Sequence, residues 1–168
     1  MSVGKGIFSK YLNPVFIETG SGTGEGIQLA LSAGFETIYS IELSKPLYDH
    51  CVDVFKDCSN IHLIHGDSRD VLKELLVKIN EPITFWLDAH CSGGLTEGGS
   101  IIPILEEIEI IGKHPIKTHT VIIDDLRSWG IVLNGRFIEE LSLINPNYTF
   151  IIEDGCISKD DILVAKVE

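Results

Sequence analysis

Acidic residues follow five apolar, β-branched runs of this sequence, each directly before a turn. They are Glu18, Glu42, Asp67, Asp88 and the pair Asp124–Asp125. A carboxylate at such a position can accept hydroxyl donors, ligate a hard cation or cap the helix that follows. Carboxylates that lie close together raise one another's pKa unless donors, helix N-termini or a cation compensate. The series predicts a binding or catalytic rim, although helix capping explains any single member equally well.

Three glycines at alternate positions follow the first of these acids, in the segment FIETGSGTGEG. Gly20, Gly22 and Gly24 would permit a tight turn and the close approach of a ligand to the backbone. The nicotinamide fingerprint G-x-G-x-x-G needs a further glycine at position 25 or 27, where the chain has Glu25 and Ile27. A Gly-Lys-Ser/Thr phosphate loop is also absent from the sequence. Both of these nucleotide signatures are therefore excluded.

Strand-like and helix-like segments alternate along the chain, and they must position the acids. Near-continuous apolar strands separated by helices predict a parallel sheet covered on both faces. The last two strands are joined by GCISKD, which is too short for a crossover helix, so they are predicted to be antiparallel. We expect one doubly wound α/β domain over residues 1–168, with the acids at the ligand-binding edge of its sheet. The predicted strands are 14–19, 37–43, 61–66, 83–89, 119–125, 148–154 and 161–168, and the predicted helices are 25–33, 44–58 with Ser44 as cap, 68–80, 102–112 and 135–144.

Composition and charge restrict the partners of the chain. Its 168 residues carry a formal net charge of -12, and such a surface repels phosphate backbones, so no nucleic-acid partner is expected. No apolar run reaches the length of a signal-peptide core or a membrane span, so we expect a cytoplasmic protein without membrane contact. The four cysteines have no C-x-x-C spacing and are expected to be reduced thiols.

With an acid followed by G-x-G-x-G after its first strand, the chain resembles the class I S-adenosylmethionine-dependent methyltransferases. The resemblance runs over about residues 14–168 and implies a Rossmann-like sheet and S-adenosylmethionine as cofactor. It implies that the glycine turn passes under the amino-acid part of the cofactor and that Glu18 helps to hold its cationic end. Glu42 would bind the ribose hydroxyls, and Asp67 would lie near the adenine. The cofactor-binding residues implied in this way are Glu18, Gly20, Ser21, Gly22, Thr23, Gly24, Glu42, Leu43, Gly66, Asp67, Ser68 and Asp88.

The later acids bear on the acceptor of the methyl group. Asp88, Asp124 and Asp125 follow neighbouring strands, and three carboxylates without a cysteine suit a hard cation such as Mg²⁺. This arrangement resembles the metal-dependent O-methyltransferases of antibiotic sugars, which implies that the three residues are metal ligands and that Asp88 is also catalytic. A helix-capping acid beside a solvated one is the alternative for the Asp124–Asp125 pair.

His90 stands where those sugar enzymes have a second acid, their general base. It is predicted to be the catalytic base here, since the unperturbed pKa of histidine lies near neutrality. A fourth metal ligand and a structural histidine are the alternatives. The glycine-rich segment 91–100 that follows is either a mobile lid or a passive loop. Trp129 either stacks on a sugar ring or packs in the core.

The resemblance implies O-methylation of a sugar or glycan hydroxyl. About a dozen residues precede the first strand, whereas the sugar enzymes carry further N-terminal elements around the acceptor. We therefore expect either an open site for a glycan end or completion by a second subunit or fused domain. The alternatives are a metal-independent methyltransferase acting on a small molecule or a protein, and a nucleotide-binding module without catalysis.

Overall fold

The computed structural model describes residues 6–88 and 103–168. Its strands are β1 (Val15–Thr19), β2 (Thr37–Glu42), β3 (Ile61–His65), β4 (Ile83–Leu87), β5 (Thr120–Ile123), β6 (Thr149–Glu153) and β7 (Ile162–Lys166). Its helices are α1 (Glu25–Ala33), α2 (Lys45–Phe55), α3 (Ser68–Leu76), α4 (Pro103–Gly112) and α5 (Leu126–Ile144), and a short 3-10 helix (Phe8–Lys10) precedes β1.

The described strands form one sheet in the order β3-β2-β1-β4-β5-β7-β6. The strands from β1 to β5 pair in parallel, whereas β7 runs antiparallel to both β5 and β6. The predicted mostly parallel α/β sheet with an antiparallel terminal pair is confirmed. The strand order reverses between β1 and β4, and open α/β sheets bind their ligands at such a switch point.

Helices cover both faces of the sheet, because successive strand residues point to opposite sides. Ile17 and Phe85 pack in the core formed with α3, α4 and α5. Phe16 and Trp86 pack in the core formed with α1 and α2. Trp86 is fully buried and meets the ring of Phe8 edge-on, with 5.0 Å between the ring centroids. Within the described ranges, no helix has both the length and the hydropathy that a membrane span requires.

Local sequence signals place most of the element ends correctly. α1 occupies the predicted residues 25–33 and ends at Gly34, whose φ of 98° belongs to the left-handed region. Ser44 occupies the predicted N-cap position of α2, but its side chain makes no capping hydrogen bond. The helix predicted over 135–144 begins earlier, at Leu126, with a non-helical residue at Gly130 (φ 73°, ψ 165°).

A buried histidine pair joins the amino ends of β4 and β5, at the edge of the sheet opposite the acids. The Ile83 N–H donates to Nδ1 of His119 (3.1 Å), so the His119 proton lies on Nε2. That nitrogen lies 2.9 Å from Nδ1 of His114, whose Nε2 contacts the Ile79 carbonyl oxygen at 2.9 Å. Burial, with His114 and Lys117 nearby, lowers the pKa of His119 from 6.5 to about 4. This pair is a structural contact between the sheet and α4.

The lowered pKa of His119 predicts a loss of stability in mild acid. The unfolded chain takes up a proton on this residue as the pH falls below about 6.5, whereas the folded chain does so only near pH 4. Stability from His119 is therefore complete above about pH 6.5 and declines as the pH falls. Urea unfolding should show the wild type losing about 2 kcal/mol more than His119→Gln between pH 7 and pH 5.

His50→Gln is the matched control, because His50 is exposed on α2. That variant should keep the pH dependence of the wild type. An identical pH dependence in His119→Gln and wild type would contradict a neutral, buried His119.

Candidate functional site

The glycine turn connects β1 to α1 at the switch point of the sheet. Gly20, Gly22 and Gly24 have φ values of 88°, 52° and 89°, a region in which residues with a Cβ are strained. A Cβ on Gly24 would approach the Phe55 ring to 2.6 Å, so this position also lacks room for a side chain. The Gly24 N–H closes the turn on the Ser21 carbonyl oxygen at 2.8 Å. The turn thus brings bare backbone to the carboxyl end of β1.

Glu42, the last residue of β2, holds the glycine turn from the neighbouring strand. Its Oε2 accepts the Gly22 N–H at 2.9 Å, and its Oε1 accepts the Ser44 N–H at 2.7 Å. The residue is 7% exposed. Each carboxylate oxygen has two lone pairs, so both can still accept a hydroxyl donor. The acid predicted to bind a ribose therefore lies beside the predicted glycine turn and keeps the capacity to bind a diol.

A buried hydrogen-bond chain lies behind the turn. Ser21 donates to Ser40 on β2, and Ser40 donates to Oε2 of Glu18, each over 2.6 Å. All three residues are almost fully buried. Glu18 Oε1 has no hydrogen-bond partner among the described residues. Burial raises the pKa of Glu18 to about 8; the Ser40 hydrogen bond opposes the rise, and the charges of Asp88 and Glu42 add to it.

The hydrogen bonds of Ser40 with Ser21 and Glu18 predict that Ser40 keeps the glycine turn closed. In Ser40→Ala the Ser21 hydroxyl loses its acceptor. The hydrogen bond from the Gly24 N–H to the Ser21 carbonyl oxygen, which closes the turn, should then open more often. We expect amide hydrogen exchange at Gly24 to accelerate about fivefold, which corresponds to a hydrogen bond of about 1 kcal/mol. Ser142→Ala is the matched control, since Ser142 donates only within α5, to the Ile138 carbonyl oxygen. Equal exchange at Gly24 in both variants would rule out a role for Ser40 in the turn.

Asp67 lies beyond β3, where it caps α3. Its Oδ1 accepts the Arg69 N–H at 3.0 Å, as an N-cap does. The Arg69 guanidinium donates to both carboxylate oxygens, at 2.9 and 2.6 Å. These hydrogen bonds lower the pKa of Asp67. The capping alternative therefore applies to this acid, and its contact with an adenine stays a prediction.

The remaining residues of the predicted cofactor set lie around this crevice. The Gly66 N–H donates to the Glu42 carbonyl oxygen at 3.0 Å, which joins the ends of β2 and β3. Leu43 is 56% exposed, and Thr23 in the glycine turn is also exposed. Ser68 is buried and donates to Oε1 of Glu107.

Glu107 is a buried acid that the sequence analysis missed. It lies on α4, is fully buried, and also accepts a hydrogen bond from Thr19 at the end of β1. Burial raises its pKa to about 7, against the effect of its two hydroxyl donors. A signal was present, because Ile104, Glu107 and Ile111 fall on one helical face by their spacing. The acid ties α4 to the carboxyl end of β1.

Asp88 and Asp124 extend β4 and β5 by one residue each. The Asp88 N–H donates to the Thr19 carbonyl oxygen, and the Asp124 N–H to the Leu87 carbonyl oxygen, both at 3.2 Å. The two acids are 6% and 2% exposed. Burial raises the pKa of Asp124 to about 7, and the charges of Asp88 and Asp125 add to the rise, while the Asp125 backbone N–H opposes it. Asp88 therefore lies at the end of β1, where the glycine turn begins, and Asp124 lies one strand further along the sheet.

The carboxylates of Asp124, Asp125 and Asp161 offer oxygens that all lie within 4.8 Å of one another. Asp161 precedes β7 and was not predicted from the sequence. Asp88 is not one of the three, and its role as a metal ligand stays a prediction. Asp124 Oδ1 is buried and accepts no hydrogen bond from the described residues, which fits a cation ligand. Asp125 has a left-handed backbone (φ 59°). The Arg127 guanidinium, however, already contacts Asp125 at 2.6 Å and also pairs with Asp161.

Two predicted features of the acceptor side have different outcomes. His90 and the segment 91–100 lie outside the described residues, so their roles stay predictions. Trp129 is half-buried, donates from Nε1 to the Asp124 carbonyl oxygen at 3.3 Å and meets the Phe137 ring edge-on. Its indole belongs to the core around α5 rather than to an open stacking surface.

No protein-family model and no curated protein sequence matches the chain. Solved structures do match its fold. The O-methyltransferase TomG of Streptomyces achromogenes, solved with SAM and involved in tomaymycin synthesis, aligns with a TM-score of 0.69 at 16% identity, over 92% of this chain and 73% of that one. A Bacillus cereus O-methyltransferase with bound SAH gives 0.66 at 16%, over 93% and 74%. The SAH-bound methyltransferase PaMTH1 of Podospora anserina gives 0.64 at 13%, over 93% and 72%. This chain therefore has the Rossmann-like fold of these methyltransferases.

Proposed function

We propose that the protein is an S-adenosylmethionine-dependent methyltransferase. The observation that carries this proposal is the glycine turn at the β1/β4 switch point, held at the Gly22 N–H by the Glu42 carboxylate. Bare backbone beside an acid that can accept a diol suits a ligand with an amino-acid group and a ribose. Glu18 Oε1 behind the turn has no hydrogen-bond partner among the described residues, and it adds a negative or dipolar group that could help to hold the cationic end of the cofactor. Fold neighbours that hold SAM or SAH support the same ligand.

We infer that the acceptor atom is a hydroxyl oxygen, of a sugar or a glycan. Two of the fold neighbours are O-methyltransferases by name. Bound S-adenosylmethionine would supply an electrophilic methyl group, and Mg²⁺ would make the acceptor hydroxyl more acidic. The residues of this chain would align donor and acceptor, and His90 would accept the hydroxyl proton. Asp124, Asp125 and Asp161 would hold the metal, with Asp88 beside them.

A metal-independent methyltransferase is the second candidate. It is favoured by Arg127, which already neutralises part of the charge of Asp125 and Asp161. In that case the carboxylates would have a structural role, and a small molecule or a protein side chain could be the acceptor. The two candidates differ in their response to chelation.

The test is methyl transfer from labelled S-adenosylmethionine to a panel of sugars, glycans, catechols and peptides, with added Mg²⁺ or with EDTA. The first candidate predicts label in a hydroxyl-bearing acceptor and a loss of turnover with EDTA. Asp124→Asn should reduce turnover strongly, whereas Asp53→Asn, an exposed acid on α2, should leave it unchanged. Turnover that ignores EDTA would support the second candidate. Failure to bind S-adenosylmethionine at all would contradict both.

A further inference from the structure

Arg127 contacts two of the three neighbouring acids Asp124, Asp125 and Asp161, which we call the acidic group. Its Nη2 lies 2.6 Å from Asp125 Oδ1, and its Nη1 pairs with Asp161 Oδ2. Its backbone N–H also donates to Asp161 Oδ1, at 3.0 Å. Asp161 is 1% exposed and Asp125 7%, so both carboxylates face the guanidinium rather than water. The arginine therefore compensates two buried negative charges.

A divalent cation would need two of the same carboxylates, those of Asp125 and Asp161. Asp124, Asp125 and Asp161 each offer an oxygen within 4.8 Å of the others. Asp124 is 2% exposed, and its Oδ1 has no hydrogen-bond partner among the described residues. A buried carboxylate oxygen in that state is incompletely compensated by the arginine. The group thus retains binding capacity for a cation, but two of its three members are already paired.

We propose that Arg127 competes with the divalent cation for Asp125 and Asp161, so that the metal binds only when the guanidinium moves away. A guanidinium and a dication held by the same two carboxylates would lie close together, and like charges repel strongly where water is scarce. The Arg127 side chain is 35% exposed, so it has solvent into which it can move. The inference rests on the proposed metal-assisted function. It makes Arg127 a residue that sets the metal affinity of the site.

The experiment is a titration with Mn²⁺ as the probe, followed by electron paramagnetic resonance, on wild type, Arg127→Ala and Arg127→Lys. We expect Arg127→Ala to bind Mn²⁺ about tenfold or more tightly than wild type, because one repelling charge is gone. Arg127→Lys should stay closer to wild type, since it keeps the charge but loses the planar fork. Asp124→Asn in the Arg127→Ala background should abolish the gain. Equal Mn²⁺ affinity in wild type and Arg127→Ala, or no binding by either, would overturn the inference.

A second measurement covers the case in which Arg127→Ala does not fold. The guanidinium resonances of Arg127 in wild-type protein should shift and exchange faster with water when Mg²⁺ is added. Resonances that do not change at Mg²⁺ concentrations that saturate the site, or an absence of any Mg²⁺ binding, would overturn the inference. Calorimetry with SAH on the same samples tests the cofactor proposal independently, because SAH binding does not require the acids that would hold the metal. SAH binding without a change at Arg127 would therefore overturn this inference and leave the cofactor proposal standing.

Discussion

Replacing Glu42 with glutamine is expected to weaken the binding of SAH about 100-fold, which corresponds to about 2–3 kcal/mol. The carboxylate accepts backbone N–H groups on both oxygens, from Gly22 and Ser44. A glutamine would turn its NH2 group toward one of these donors, so one contact would become a repulsion. The ribose hydroxyls would also lose a charge-assisted acceptor. Isothermal titration calorimetry with purified protein measures the effect.

Glu36→Gln is the matched control for this prediction, because Glu36 is exposed and precedes the opposite end of β2. It should bind SAH like the wild type. Glu42→Gln should weaken SAM and SAH by the same factor, since the two ligands carry the same ribose hydroxyls. Unchanged SAH binding in Glu42→Gln would show that this acid does not contact the ligand.

Replacing Gly26 with alanine should destabilise the protein by about 2 kcal/mol, although alanine normally favours a helix by about 1 kcal/mol over glycine. A Cβ at this position of α1 would lie 1.8 Å from Glu18 Oε1 and 2.9 Å from its carboxyl carbon. Glu18 cannot yield easily, because it is fully buried and bound to Ser40. The overlap therefore outweighs the gain in helix propensity. Urea unfolding gives the free energy directly.

Gly135→Ala in α5 should have the opposite sign. Among the described residues, no heavy atom outside the backbone of its own helix lies within 4 Å of a Cβ built at Gly135. Helix propensity should therefore dominate there, and a stabilisation of about 0.5–1 kcal/mol is expected. When Glu18→Ala is added to the Gly26→Ala protein, much of the lost stability should return, because the carboxylate that the new methyl group meets is removed. A stabilised Gly26→Ala protein would contradict the described packing of Glu18 under α1.

The part of the fold that could be predicted from the sequence is the part determined by neighbouring residues. The bounds of α1 follow from the glycine turn before it and from Gly34 after it, both local backbone preferences. The antiparallel pairing of β6 with β7 follows from a connection too short for a crossover. The position of Glu42 beside the glycine turn follows from parallel pairing of the first two strands.

Side-chain partners from distant parts of the chain could not be predicted in this way. Asp161 joins Asp124 because β7 inserts between β5 and β6, and that strand order is a property of the whole sheet. Ser40 meets Glu18 only through the register of β1 on β2, in which the two residues face each other. Arg127 pairs with Asp125 and Asp161 because α5 begins directly after Asp125. This start is earlier than the apolar pattern of the helix indicates.

Hydrogen bonds between residues two positions apart determine the local structure at two further sites. Asp67 is held by Arg69, two residues along the chain, so this acid caps a helix although it belongs to the series at the strand ends. Ser44 is the N-cap residue of α2 and donates its N–H to Glu42, while its side chain makes no capping hydrogen bond. In both cases a carboxylate accepts a charge-assisted hydrogen bond from the residue two positions along the chain.

Binding of the cofactor at the glycine turn can be tested residue by residue, with backbone amide spectra of ¹⁵N-labelled protein during a titration with SAH. We expect the largest changes at Gly20, Gly22, Gly24 and Leu43, and none at Ile83 at the opposite edge of the sheet. Saturating SAH that leaves the glycine turn unchanged, or that shifts residues elsewhere instead, would contradict a cofactor site at this turn.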